Sequence, residues 1–94
     1  MGVAFKIMYH ERAVKADIPK LTISDRDRIK RAIEKKLTVE PEIFGKPLRR
    51  SLKGYRKLRV GDYRVIFRME KKMVKIFCVG HRTVVYKEVN KRPG

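Results

Sequence analysis

Lys57-Leu58-Arg59-Val60-Gly61-Asp62-Tyr63-Arg64-Val65-Ile66-Phe67 decides how this chain folds. Leu58 and Val60 alternate with Lys57 and Arg59, the period of two that a strand shows when one face is buried. Gly61-Asp62 reads as a tight hairpin reversal. Beyond it Tyr63, Val65, Phe67 and Met69 share one face of a second strand, and Arg64, Ile66 and Arg68 take the other. After the polar turn Glu70-Lys71-Lys72, the run Met73 to Val79 is almost continuously apolar and reads as a central strand.

Upstream of this hairpin the pattern changes. Val3, Phe5, Ile7 and Tyr9 alternate with Lys6 and His10, which predicts an opening strand. Glu11 to Ile18 has helix-forming composition, with Val14, Ile18 and Leu21 at i, i+4, i+7, and Pro19 ends it. Ser24 reads as the N-cap of a second helix from Asp25 to Leu37, with Asp25 and Asp27 at its positive end. Ile29, Ala32, Ile33 and Leu37 form the apolar stripe of that helix. Thr38 to Lys53 reads as a loop broken by Pro41, Gly45 and Pro47, with Ile43, Phe44 and Leu48 tying it to the core. Gly80 to Arg92 reads equally as a short edge strand or a last helical turn. The order β-α-α-β-β-β predicts an α+β fold, two helices on one face of a small, mostly antiparallel twisted sheet.

A chain of 94 residues is expected to form one domain over residues 1–94. Its formal net charge of +16 is far above what a small soluble domain needs. From Gly45 to Arg68 nine basic residues face one acid, Asp62. Such a field attracts phosphate backbones, anionic membranes or an acidic protein. No run approaches the roughly 18 apolar residues of a spanning helix, and no hydrophobic stretch near the start suggests a signal peptide, so the expected location is cytoplasmic. Cys78, the single cysteine, excludes an intramolecular disulfide. Two histidines, one cysteine and scattered acids show no metal-ligand spacing, so no metal or cofactor is expected.

The basic strands carry the functional reading. Lys57 and Arg59 fall on the non-core face of one strand, Arg64 and Arg68 share a face of the next, and the hairpin sets the rows side by side. Cations so placed repel one another unless an anion lies between them, and arginine's planar fork suits phosphate oxygens. A solvated, aggregation-deterring face is the plainer alternative, but such faces usually mix signs. Arg50, Lys53 and Arg56 extend the candidate RNA-binding set. His81, between Gly80 and Arg82, is a candidate acid or base, whereas His10 reads as structural. Tyr86 suits core packing, base stacking or positioning of a substrate; Tyr63 belongs to the core.

The block from Lys57 to Phe67, followed by Val79-Gly80-His81-Arg82 and Val85-Tyr86, resembles the RelE/ParE superfamily of bacterial and archaeal toxins, and the RelE branch more than the ParE branch. The resemblance covers nearly the whole chain. It implies a toxin of a type II toxin–antitoxin pair that cleaves mRNA in the ribosomal A site, the 2′-hydroxyl attacking the adjacent phosphate. On that resemblance Lys57 serves as base or its electrostatic partner, and Arg59 and Arg64 hold the scissile phosphate. Arg82 stabilises developing charge, and Tyr86 stacks on or orients the substrate nucleotide. Tyr55 stands where the family pattern carries a second lysine, which leaves the general base open among Arg56, Lys57 and His81. The implied partners are a cognate antitoxin with an acidic stretch, the ribosome and mRNA. A ParE-like inhibitor of DNA gyrase, and a basic nucleic-acid-binding module without catalysis, are the competing readings.

Overall fold

The computed structural model describes residues 4–48 and 54–92. β1 (Lys6–Tyr9) leads into a helical segment that passes through a π-helical turn, Ala13–Asp17, and a 3-10 turn, Ile18–Lys20. α1 (Ile23–Ala32) continues through a second π-helical turn, Ile33–Leu37. α2 (Pro41–Phe44) and the short β2 (Lys46–Pro47) follow. The hairpin strands are β3 (Tyr55–Val60), β4 (Tyr63–Glu70) and β5 (Met73–His81), and α3 (Val85–Lys91) comes last.

The strands form one five-stranded sheet in the order β1-β5-β4-β3-β2. Among the described residues only β1 and β5 run parallel, with Lys6 opposite Met73 and Tyr9 opposite Ile76. The α+β architecture expected from the element order is the one observed. Val60 pairs with Tyr63 across the reversal, and Gly61 has a φ of +59°, a conformation that costs glycine nothing and other residues a clash.

Both faces of the sheet are covered, which explains why β5 is apolar from Ile76 to Val79. On one face Leu58, Val60, Val65, Phe67, Val74, Ile76 and Val79 close over Leu21, Ile29, Ile33 and Leu37. On the other, Ile66, Phe77 and Cys78 meet Val85 and Val89 of α3, with Leu48, Tyr55 and Tyr86 at the margin. A β-bulge makes this second layer. The register steps from Ile66 opposite Cys78 to Phe67 opposite Ile76, leaving Phe77 as the extra residue. Two successive side chains, Phe77 and Cys78, therefore point to the α3 face.

Several local expectations need correction. The cap of α1 is Thr22, not Ser24: its Oγ1 accepts from the Asp25 N–H at 3.1 Å, and the helix begins two residues earlier than expected. Ser ranks above Thr as a cap by type, so composition alone points to Ser24 rather than Thr22. In the first helical segment the buried positions are Ala13 and Asp17, while Val14 is 49% exposed, because π-helical winding rotates the i, i+4 stripe off the core. The loop after Leu37 holds α2 and β2. It is tied down by buried Pro41 and Gly45, with Leu48 half-buried, whereas Ile43 and Phe44 stay exposed. Gly45 is required there: a Cβ would overlap the Phe67 ring and sit 2.9 Å from the Pro41 carbonyl oxygen. Residues 85–91 are helical, which resolves the open alternative for the C-terminal stretch.

β1 is shorter than β5, and past Tyr9 the outer edge of β5 would lie open. Asp17 closes it. Its Oδ2 accepts from the Val79 N–H at 2.9 Å and from Arg92 Nη1 at 2.8 Å, and the same Nη1 donates to the Phe77 carbonyl at 2.9 Å.

Candidate nucleic-acid interface

The second face of the sheet, flanking α3, carries the cations. Because Leu58 and Val60 are buried against α1, alternation sends Lys57 and Arg59 to the α3 side. The register then sets Arg59 directly opposite Arg64 and Lys57 opposite Ile66. Directly opposed side chains have Cβ atoms roughly 5 Å apart, where like charges destabilise the sheet. The Arg64 guanidinium folds back, Nη1 donating to the Gly61 and Tyr63 carbonyls at 3.1 and 3.0 Å. Those carbonyls fix the fork beside the turn while Arg59 stands exposed across from it.

Tyr86, in the first turn of α3, completes the group. Lys57 Nζ lies 5.8 Å from the centre of its ring, within cation–π range. Gly80 pairs with Arg64 and packs beside Val85 at the start of α3. Arg82 flanks the same end of the hairpin. Its backbone N–H donates to the Asp62 carbonyl at 2.8 Å, and its exposed Nε lies 3.9 Å from Asp62 Oδ1. Lys57, Arg59, Arg64 and Tyr86 thus share one face, with Arg82 at its edge.

Other candidates are placed elsewhere. Arg56 alternates to the opposite face and donates Nη1 to the Gly45 carbonyl at 2.9 Å, holding the α2–β2 connection. Arg68 lies on the right face but far along β4 from Arg64, ion-paired with Glu70 and 5.6 Å from the Tyr55 ring centre. That pairing holds the Glu70 carboxyl below its ordinary value, mainly through the hydrogen bond from Arg68. His81 pairs with Tyr63 and follows it to the α1 face, its ring edge-on to Tyr63 at 5.6 Å. Its Nδ1 accepts the Thr83 N–H at 3.2 Å, which leaves Nε2 to carry the proton in the neutral ring. His81 therefore stands apart from Lys57 and Arg64. Arg50 and Lys53 lie outside the described residues. No helix among the described residues is long and apolar enough to cross a membrane.

Comparison with known families places the chain by its fold and sequence. Residues 7–86 match the family described as ParE toxin of type II toxin–antitoxin system, parDE. The match spans most of the chain, which therefore belongs to this family of the RelE/ParE superfamily, the toxins of type II toxin–antitoxin systems. Its structural likenesses lie on the RelE side. The RelBE2 toxin–antitoxin complex of Mycobacterium tuberculosis contains a chain 32% identical, with a TM-score of 0.79 over 85% of this chain and 93% of that one. The E. coli RelBE complex gives 27% identity and a TM-score of 0.65, covering 83% of this chain and 96% of that chain. An arginine-substituted E. coli RelE in the free state gives 26% and 0.63, covering 95% and 97%. No significant match is found among curated proteins.

Proposed function

We propose that the chain is an endoribonuclease toxin that cuts mRNA within the ribosomal A-site codon and so stops translation. The observation that carries this reading is the Arg59–Arg64 register pair, like charges directly opposed on a face that also holds Lys57 and Tyr86. A phosphate diester between the two guanidinium groups turns their repulsion into a clamp.

In the proposed reaction the substrate's 2′-hydroxyl oxygen attacks the adjacent phosphorus, and the bond from phosphorus to the 5′-oxygen breaks. The products are a 2′,3′-cyclic phosphate and a 5′-hydroxyl. The 2′ proton leaves to a base, and a proton is delivered to the departing 5′-oxygen. Arg59 and Arg64 hold the non-bridging oxygens and stabilise charge that grows on them. Lys57, beside Tyr86, assists at the attacking oxygen. Arg82, at the mouth of the hairpin, stabilises the leaving oxygen. Tyr86 stacks on or orients the nucleotide. His81 faces away from this group, which favours Lys57 over it in proton transfer.

The M. tuberculosis and E. coli relatives are found in toxin–antitoxin complexes, which supports a cognate antitoxin as the partner of this chain. At a formal charge of +16 an acidic antitoxin segment would be drawn to the cationic face, as would ribosomal RNA. The proposed setting is the cytoplasm, where both partners reside.

The test is primer extension on mRNA recovered from programmed ribosomes, with wild type beside Arg64→Ala and Arg82→Ala. Cuts inside the A-site codon that disappear in the variants support the reading. The family match is to ParE toxins, which favours one second reading, a protein-directed toxin acting on DNA gyrase. Growth arrest without mRNA cuts, accompanied by lost supercoiling activity, would select it.

A further inference from the structure

Beyond the phosphate clamp, the same sheet face holds an aromatic cleft of about 280 Å³ that the proposed reaction does not use. Its walls include Tyr9, His10, Tyr55, Arg68, Lys75 and Phe77. Three of the rings form one cluster. Phe77 lies 5.1 Å from His10, edge to face, and 5.1 Å from Tyr55 at a tilt of 51°. The bulge that turns Phe77 to this face is what brings the rings together. His10 Nδ1 accepts the Arg12 N–H at 3.1 Å, which fixes the imidazole in place.

The position of the cleft relative to Lys57 gives it meaning. Tyr55 precedes Lys57 by two residues on β3, so both side chains project from one face about 7 Å apart. That step is close to the length of one nucleotide. Tyr55 also borders the layer under α3 that contains Tyr86, so it stands between the clamp and the cleft.

We propose that this cleft receives the base of the nucleotide next to the scissile phosphate, stacked against the ring of Tyr55. The inference rests on the endoribonuclease reading and specifies its substrate contact. The chemistry selects a base over a second phosphate. Arg68 is ion-paired with Glu70, and Lys75 Nζ lies 3.5 Å from the same carboxylate, so both of the cleft's cations already have an anionic partner in Glu70. The half-buried Tyr55 ring and the Arg68 guanidinium 5.6 Å from its centre supply the stacking surface, with N–H donors at the rim. Aromatic rings and guanidinium planes are the surfaces on which proteins stack unpaired RNA bases. The departure at Tyr55 from a lysine-bearing family pattern acquires a reason: at this position the chain offers a ring in place of a charge.

Two measurements test the proposal. In the first, cleavage on programmed ribosomes is compared for wild type, Tyr55→Phe and Tyr55→Leu, using mRNA with an intact or an abasic nucleotide on each side of the cut. Stacking is worth roughly 5- to 150-fold per base. Tyr55→Phe is expected to match wild type, and Tyr55→Leu to lose activity in that range. The abasic nucleotide should impose a similar loss on wild type at one flanking position, and little further loss on Tyr55→Leu. If wild type cleaves intact and abasic mRNA equally well on both sides, the cleft is not a base site although the nuclease reading stands.

The second measurement needs no reaction. A short single-stranded oligoribonucleotide is titrated into wild-type protein while the Tyr55 and His10 ring proton signals are followed by NMR. Movement of these signals, absent with an abasic oligonucleotide, supports the cleft even if no mRNA is cut, in which case only the nuclease reading fails. Rings that do not respond to either RNA overturn the proposal.

Discussion

Arg92 grips Asp17 with both prongs of its guanidinium, Nη1 to Oδ2 at 2.8 Å and Nη2 to Oδ1 at 2.5 Å, across 75 positions of sequence. Both side chains are almost wholly buried, at 2% and 7% exposure. Arg92 follows the last turn of α3, and Asp17 lies against the uncovered edge of β5, so the pair fastens the helix that carries Tyr86 to the sheet. Arg92 Nε finds no hydrogen-bond partner among the described residues, so the clasp depends on the two Nη groups.

Removing either partner strands the other charge in the interior. Asp17→Asn and Arg92→Leu are each expected to lose about 3–5 kcal/mol of stability in urea denaturation. Asp17→Leu combined with Arg92→Met should be milder than the sum of the singles. Amide exchange should show α3 losing protection before β4. A loss under about 1 kcal/mol in Arg92→Leu would contradict the clasp.

Arg56 and Arg59 are neighbours in kind and opposites in duty. Arg59→Ala should abolish growth arrest without lowering the melting temperature, since Arg59 is exposed on the clamp face and its removal relieves repulsion with Arg64. Arg56→Ala should stay toxic at permissive temperature while losing about 1.5–3 kcal/mol, the value of a charged hydrogen bond such as that to Gly45. Growth assays read beside thermal melts separate the two, and a reversed outcome would exchange their roles.

Gly45 leaves no room for a methyl group beside Phe67. Gly45→Ala is expected to cost about 1–3 kcal/mol through overpacking. Adding Phe67→Leu should restore part of the loss, and a strictly additive double variant would place the strain elsewhere.

Cys78 is buried, and desolvation first, then the nearby Asp17 carboxylate, push its thiol up to about 12. Below pH about 8.5, the free thiol's value, folded and unfolded chains both keep the proton and the contribution is complete. Above it the unfolded chain loses the proton that the folded one retains, so stability falls as pH rises toward about 12. Tyr9, raised chiefly by burial and also by Glu34, adds to the same trend. Denaturant midpoints measured against pH should fall less steeply in Cys78→Ala than in wild type. The native thiol should also resist alkylation at neutral pH until the chain unfolds.

The hairpin and its cationic rows were legible because a strand's period of two forces each residue to one face, and a two-residue Gly-Asp turn fixes the pairing. Leu58, Val60, Val65 and Phe67 fell where alternation put them. Arg56 was misjudged for want of the same rule: it is one step out of phase with Lys57 and Arg59 and so belongs to the α1 face. The position of His81 was hidden for a related reason, since only the register with Tyr63 reveals its side of the sheet. The Phe77 bulge, the π-helical windings and the Asp17–Arg92 pair arise from packing between distant segments, and no local spacing announces them. The aromatic cleft depends on that bulge and was hidden with it.

The parallel pairing of β1 with β5 also sets an order in time. Lys6 finds Met73 only after β3 and β4 exist, and Asp17 finds Arg92 only after α3 does. Long closures are entropically expensive and fold slowly. During synthesis β1 emerges early and waits without its neighbour while the rest is made. The face bearing Arg59, Arg64 and Tyr86 is assembled only when the last strand and helix have left the ribosome. On the proposed reading toxicity then requires β5 and α3, and a chain interrupted after β4 carries Arg59 and Arg64 without the surface proposed to arm them.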